Sequence, residues 1–175
     1  MKLLKTVSLL SIAILLGASF MGCDGTSSKG PEKKEVGFFS ESTQFLAPNQ
    51  QLSFEGGKCN METINGINWD INKVIFHQSD AVSIVGWGVD AQTKRAPSSI
   101  FIRVQSGGRA FYAKAASTER ADVAQYFKED YYKNSGYKAD VSLKGLPQGE
   151  YHAMIVMTFP DKAILCASGR TLIVK

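Results

Sequence analysis

From residue 51 onward, short apolar runs alternate with clusters of Gly, Pro, Asn and Asp, the pattern of strands separated by turns. Candidate strands fall at 51–54, 67–70, 73–77, 82–89, 99–105, 110–115, 137–143, 151–158, 163–167 and 171–175. In 99–105 a period of two sorts Ile100, Ile102 and Val104 to one face and Phe101, Arg103 and Gln105 to the other, as in a half-buried antiparallel strand. The stretch 151–158 is apolar on both faces: Tyr151, Ala153, Ile155 and Met157 share one, His152, Met154, Val156 and Thr158 the other. That fits a central strand. One helix interrupts the series at 119–127. Thr118 is placed to cap it, Glu119 and Asp122 suit the positive end of its dipole, and Ala121, Val123, Ala124 and Phe127 supply an apolar side. The pattern predicts two packed sheets over 51–175, with the helix over a sheet edge.

Two motifs sharpen the fold. In Gly86-Trp87-Gly88-Val89-Asp90 the flanking glycines are expected to let the indole lie against neighbouring backbone. Leu146-Pro147-Gln148-Gly149-Glu150-Tyr151 is a turn feeding a strand that opens on tyrosine. It resembles the corner of immunoglobulin-like sandwiches, where the hydroxyl bonds back to upstream backbone. The expected fold is therefore an all-β, immunoglobulin-like antiparallel β-sandwich with one short helix.

The N-terminus has a different pattern. Lys2 and Lys5 precede an apolar run at 7–16, then Gly17, Ala18 and Ser19, and finally Phe20-Met21-Gly22-Cys23. Ten apolar residues fall short of the roughly twenty that span a bilayer as a helix, so the segment reads as a secretory signal. Its end resembles a lipobox, the processing site of bacterial lipoproteins. The resemblance implies cleavage before Cys23 and diacylation of its thiol, with several chains making anchorage effectively permanent. The expected organisation is a signal peptide over 1–22, a lipidated flexible tether over 23–50 rich in Gly, Ser, Lys, Glu and Pro, and the sandwich over 51–175. Phe38-Phe39 is where packing on the domain could begin. The expected location is the cell envelope, facing the periplasm or the cell surface. Asp24 resembles the signal that retains lipoproteins in the inner membrane of enteric bacteria.

Loss of Lys2 and Lys5 lowers the formal net charge from +4 to +2. With basic and acidic residues interspersed, this leaves no electrostatic footprint for a nucleic acid partner. In an oxidising compartment Cys59 and Cys166 are expected to pair, closing a loop of about a hundred residues worth at most about 4–5 kcal/mol. The alternative is two buried free thiols in apolar strands.

Chemistry is sparse, and neither a metal nor a cofactor is expected. His77 and His152 lie far apart, without metal-ligand spacing. Ser106 and Ser168 sit beside glycines but form no nucleophile elbow, and Glu129-Asp130 defines no carboxylate separation. The protein is read as a non-enzyme.

In order, Gly86 to Asp90, then Arg120-Ala121-Asp122-Val123-Ala124, then Ser135-Gly136-Tyr137, then the 146–151 turn resemble a non-catalytic β-sandwich appended to bacterial membrane glycosyltransferases. That resemblance covers about 81–175 and implies an accessory or binding domain. The candidate surface is the aromatic segment 126–137, with Tyr126, Tyr131, Tyr132 and Tyr137, since tyrosine suits sugar rings and protein hot spots alike. The expected partners are the membrane, through the lipid, and an envelope protein or glycan. A structural lipoprotein of an envelope assembly is the alternative, and a hydrolase with an unfamiliar site ranks below both.

Overall fold

The structure, a computed structural model, describes residues 36–48, 50–70 and 73–175. The expected signal peptide, Cys23 and the first part of the tether lie outside the described residues. The chain forms an all-β sandwich of two six-stranded sheets with one short helix.

Sheet A contains, in spatial order, β1 (Gly37–Phe38), β10 (Gly136–Ser142), β6 (Ala81–Asp90), β3 (Gly57–Ile64) and β4 (Ile67–Asn68), with β9 (Ala116–Thr118) also on β10. Sheet B contains β2 (Leu52–Ser53), β12 (Ala163–Val174), β11 (Gly149–Thr158), β7 (Ser99–Ser106) and β8 (Arg109–Lys114), with β5 (Lys73–Phe76) on the far part of β12. The alternation read from sequence holds: Ile100, Ile102 and Val104 face the core, as do Tyr151, Ala153, Ile155 and Met157. Two hairpins close through two-residue turns with positive φ at both positions, Asn65-Gly66 and Gly107-Gly108, matching the strand twist.

Several features depart from the expectation. The long strands pair antiparallel, but β1 on β10, β2 on β12 and β5 on β12 are parallel additions at the edges. The stretches 163–167 and 171–175 are one strand, because Ser168 and Gly169 are accommodated as a bulge opposite Ala153 and Met154. Gly169 takes φ +69° there, and the Ser168 hydroxyl donates to the Ala153 carbonyl at 2.6 Å. The helix α1 (Ala121–Phe127) starts later than expected. Thr118 pairs in β9, and Arg120 occupies the cap position without a side-chain bond to the backbone.

The folded part begins before residue 51. Phe39 is buried, Ser40 exchanges backbone hydrogen bonds with Tyr112, and Phe45 stacks on Phe101 with ring centroids 4.0 Å apart. Residues 37–53 thus form a strap from sheet A across the outer face of sheet B to β12. The strap covers a second apolar layer made by Tyr112, Val156 and Leu165.

Cys59 of β3 and Cys166 of β12 are joined, so the expected disulfide links the two sheets. Arg170 reinforces this side, donating from Nε to the Met61 carbonyl and from Nη2 to Asn60 Oδ1, both at 3.2 Å. The Tyr151 hydroxyl donates to the Pro147 carbonyl at 2.7 Å, the corner expected from the 146–151 motif. The glycines around Trp87 serve the opposite face from the indole. A Cβ on Gly86 would lie 2.0 Å from the Asn60 carbonyl oxygen and 2.6 Å from the Tyr137 hydroxyl, and one on Gly88 would lie 2.7 Å from Met157 Sδ.

Replacing Cys59 and Cys166 together with Ala should lower unfolding stability by about 2–5 kcal/mol. Urea titrations of the two proteins should show it, and dithiothreitol should shift the parent protein alone.

Candidate functional site

Strand alternation sends Trp87 outward from β6 while Gly86 and Gly88 face inward, and α1 packs across that outer face. Val123, Ala124 and Tyr132 are buried here with Val89, and Trp87 and Phe127 close the cluster from the solvent side. Phe127 is the central ring. Trp87 meets it at 5.6 Å and 68°, Tyr126 at 5.0 Å and 88°, and Tyr132 at 5.5 Å and 83°. Such edge-to-face pairs follow from ring quadrupoles and are each worth about 0.5–1.5 kcal/mol beyond burial. The helix ends at Lys128 in the left-handed conformation, with the Glu129 amide donating to the Ala124 carbonyl at 2.9 Å. That C-terminal turn leaves Tyr126 at the rim, 81% exposed.

The rings border a groove of about 370 Å³ lined by Glu62, Trp87, Arg120, Asp122, Val123, Tyr126 and Phe127. Arg120 fixes its polar wall. Nη1 and Nη2 donate to Glu62 at 2.7 and 3.0 Å, while Nε and Nη2 donate to Asp122 at 2.8 and 2.6 Å. A planar fork held by two carboxylates has little rotational freedom left. The hydrogen bonds to Asp122 and then Glu62 raise the guanidinium's pKa, and in return the Arg120 bond lowers the Asp122 carboxyl to about 2. Lys58 Nζ lies 5.3 Å from the Phe127 centroid.

The four tyrosines do not form one surface. Tyr126 and Tyr131 are exposed, but Tyr132 and Tyr137 are buried, which corrects the expectation for those two residues. Tyr137 alternates inward with Ala139 and Val141 on β10, fills the space left by Gly86, and donates to the Asn60 carbonyl at 3.2 Å. Burial pushes its hydroxyl pKa well up. Tyr132 sits under Phe127 on a short 3₁₀ turn over Asp130–Asn134. The same turn directs Tyr131 to a separate hollow with Arg95, Ala96, Ser98, Phe159 and Pro160. Sequence reasoning missed Glu62 and Lys58 and gave Trp87, Arg120 and Asp122 other roles, whereas Phe127 lies within the aromatic segment 126–137 that it singled out. The signal for the polar wall was weak: Arg120 and Asp122 are neighbours, but Glu62 lies 58 residues from Arg120.

At the base of this end, Asp90 is fully buried. Its carboxylate accepts from Lys162 at 2.6 Å and from the Gln92 and Thr93 amides at 3.1 and 3.2 Å, and it also bonds the Thr93 hydroxyl. Arg95 Nη2 lies 3.6 Å away. Burial opposes the charge, but the hydrogen bonds from Lys162 and Thr93 outweigh it and lower the carboxyl to about 2. The backbone carbonyl of Asp90 faces the Tyr132 hydroxyl at 3.4 Å, so this knot underlies the aromatic cluster.

His77 lies exposed just past the end of β5, outside the strand expected over 73–77, and His152 is exposed on β11. Among the described residues, no group of three or more His, Cys, Asp or Glu side chains is placed to hold a metal. The groove offers apolar ring surface beside fixed hydrogen-bonding groups, the chemistry of recognition. No family model, curated protein or solved structure matches this chain.

Asp90 gives the site an acid limit. A carboxyl depressed in the folded state stabilises it above the unfolded value of about 3.9, and that contribution disappears as pH falls through about 2. About 2 kcal/mol should therefore be lost between about pH 4 and pH 2. Urea midpoints measured across this range should fall less steeply for Asp90→Asn, which starts from lower stability at neutral pH.

Proposed function

We propose that this protein is a lipid-anchored module of the bacterial cell envelope that acts by non-catalytic binding through the groove beside Tyr126. The observation that carries the reading is the exposed Tyr126 ring beside the partly open Trp87 and Phe127, next to a pre-set ionic wall. Large rigid rings give contact area at low entropic cost, and a locked guanidinium loses little freedom on binding.

The anchor rests on Lys2, Lys5, the apolar run and Gly22-Cys23. The chain enters at Val36, beside the Val141 and Ser142 end of β10, whereas Gly136 at the other end pairs with Trp87. The groove is roughly 20 Å along the strand from that entry point, at ~3.3 Å per residue. The resemblance to the sandwich appended to membrane glycosyltransferases adds support, because three of its four strings converge here: Trp87 on Gly136, Tyr137 against Gly86, and Arg120 with Asp122 on the groove wall. The fourth forms the Tyr151 corner.

Cys23→Ser should move the protein from the membrane to the soluble fraction and abolish labelling by radioactive palmitate; unchanged fractionation would contradict the anchor. The detergent-purified full chain should be retained on envelope fragments of its host. Tyr126→Ala should weaken that retention about thirtyfold, the loss typical of a 2 kcal/mol hot spot, with the melting temperature lowered by no more than about 5 °C for the lost ring pair. Tyr131→Ala should leave retention as it is. Equal retention of the parent protein and Tyr126→Ala would rule the groove out.

A further inference from the structure

We infer that the ligand of this groove is a neutral, hydroxyl-rich saccharide, an assignment that rests on the groove being the binding surface. Three observations support it. The first is the charge balance. The lining sets Glu62 and Asp122 against Arg120, and Lys58, outside the lining beside the Phe127 ring, offsets the remaining charge, so the groove and its rim together are close to neutral. The second is the state of Arg120, the residue an anionic ligand would need. Four hydrogen bonds to the two carboxylates occupy all but one of its five N–H donors, and its side chain is only 17% exposed. A phosphate or carboxylate would have to break one of these pairs before it could bind.

The third observation is the hydrogen-bonding capacity that remains. Both carboxylates keep spare lone pairs, and Asp122 is 68% exposed, so the polar wall chiefly accepts. A ligand that fits must bring donors without a charge and also cover aromatic rings. A sugar does both: its hydroxyls donate to the carboxylates, and its C–H face carries partial positive charge that meets the negative face of a ring such as Tyr126. A basic side chain would also suit rings and carboxylates, but Lys58 already holds the cation position over Phe127.

The test uses the detergent-purified full chain and its tryptophan emission, to which the partly exposed Trp87 responds while Trp69 is fully buried. Chitotetraose, cellotetraose, maltotetraose and mannotetraose form the neutral panel, with tetragalacturonate as the acidic probe and tetralysine as the basic one. At least one neutral saccharide should give a saturable shift. Tyr126→Ala and Asp122→Asn should each weaken it at least tenfold, with tetragalacturonate and tetralysine silent. Silence toward the whole neutral panel overturns the saccharide assignment, as does a tighter response to either charged probe. The groove is judged separately by the Tyr126-dependent retention on envelope fragments, so the two failures are distinguishable.

Discussion

The covalent tie between Cys59 and Cys166 is the constraint on which this architecture leans most, because of the strand it secures. β3 carries Lys58, Asn60 and Glu62 along one side and faces the core through little more than Cys59, Met61 and Ile64. Its register shifts between Met61 and Thr63, so its ladder with β6 is interrupted. A strand this polar has weak hydrophobic reason to remain on the sandwich. The disulfide and the Arg170 bonds hold it against β12, and β3 in turn supplies Glu62 to Arg120 and lies beside Trp87. The aromatic groove therefore depends on a bond between the sheets that lies outside it.

The rigidity of the groove comes from two physically different sources. Its apolar half is set by edge-to-face rings seated on Val89, Val123 and Ala124. Its polar half is set by one guanidinium shared between carboxylates from β3 and α1. Asp122 is solvent-exposed, so its ion pair adds little to folding. Its effect is to orient: the short helix lacks a side-chain cap, and Arg120 at its first position is fixed instead by Glu62 and by its amide bond to the Lys133 carbonyl.

Where a strand has one wet and one dry face, its pattern was legible, as in β7, or in β11 with both faces covered. Tyr151 and the cysteine pair are legible because a turn restricts the first, and Cys59 and Cys166 are the two cysteines left once Cys23 is set aside. β3 is absent from the candidate strands, since Gly57, Lys58 and Asn60 break the apolar alternation around Cys59 and its strand character depends on β6 and the disulfide. Most of the strap reads as tether because its composition is polar and its aromatic residues show no strand period, while the partners of Phe45, Phe101 and Tyr112, lie far along the chain. The tyrosines were grouped by proximity in sequence, although the period of two on β10 already pointed Tyr137 inward with Ala139 and Val141. The groove wall joins residues from separated elements, a relation that local pattern does not carry.

The strap also determines how the domain would respond to tension. A pull arriving through Val36 meets first the two-residue β1, then the Ser40–Tyr112 bridge, and only afterwards the long antiparallel ladders. Under such a pull, the strap would peel before the sheets part, baring Phe101, Tyr112 and Val156. The body bearing Trp87 and Tyr126 rests on the long ladders, so the strap is the part of the domain that gives way first.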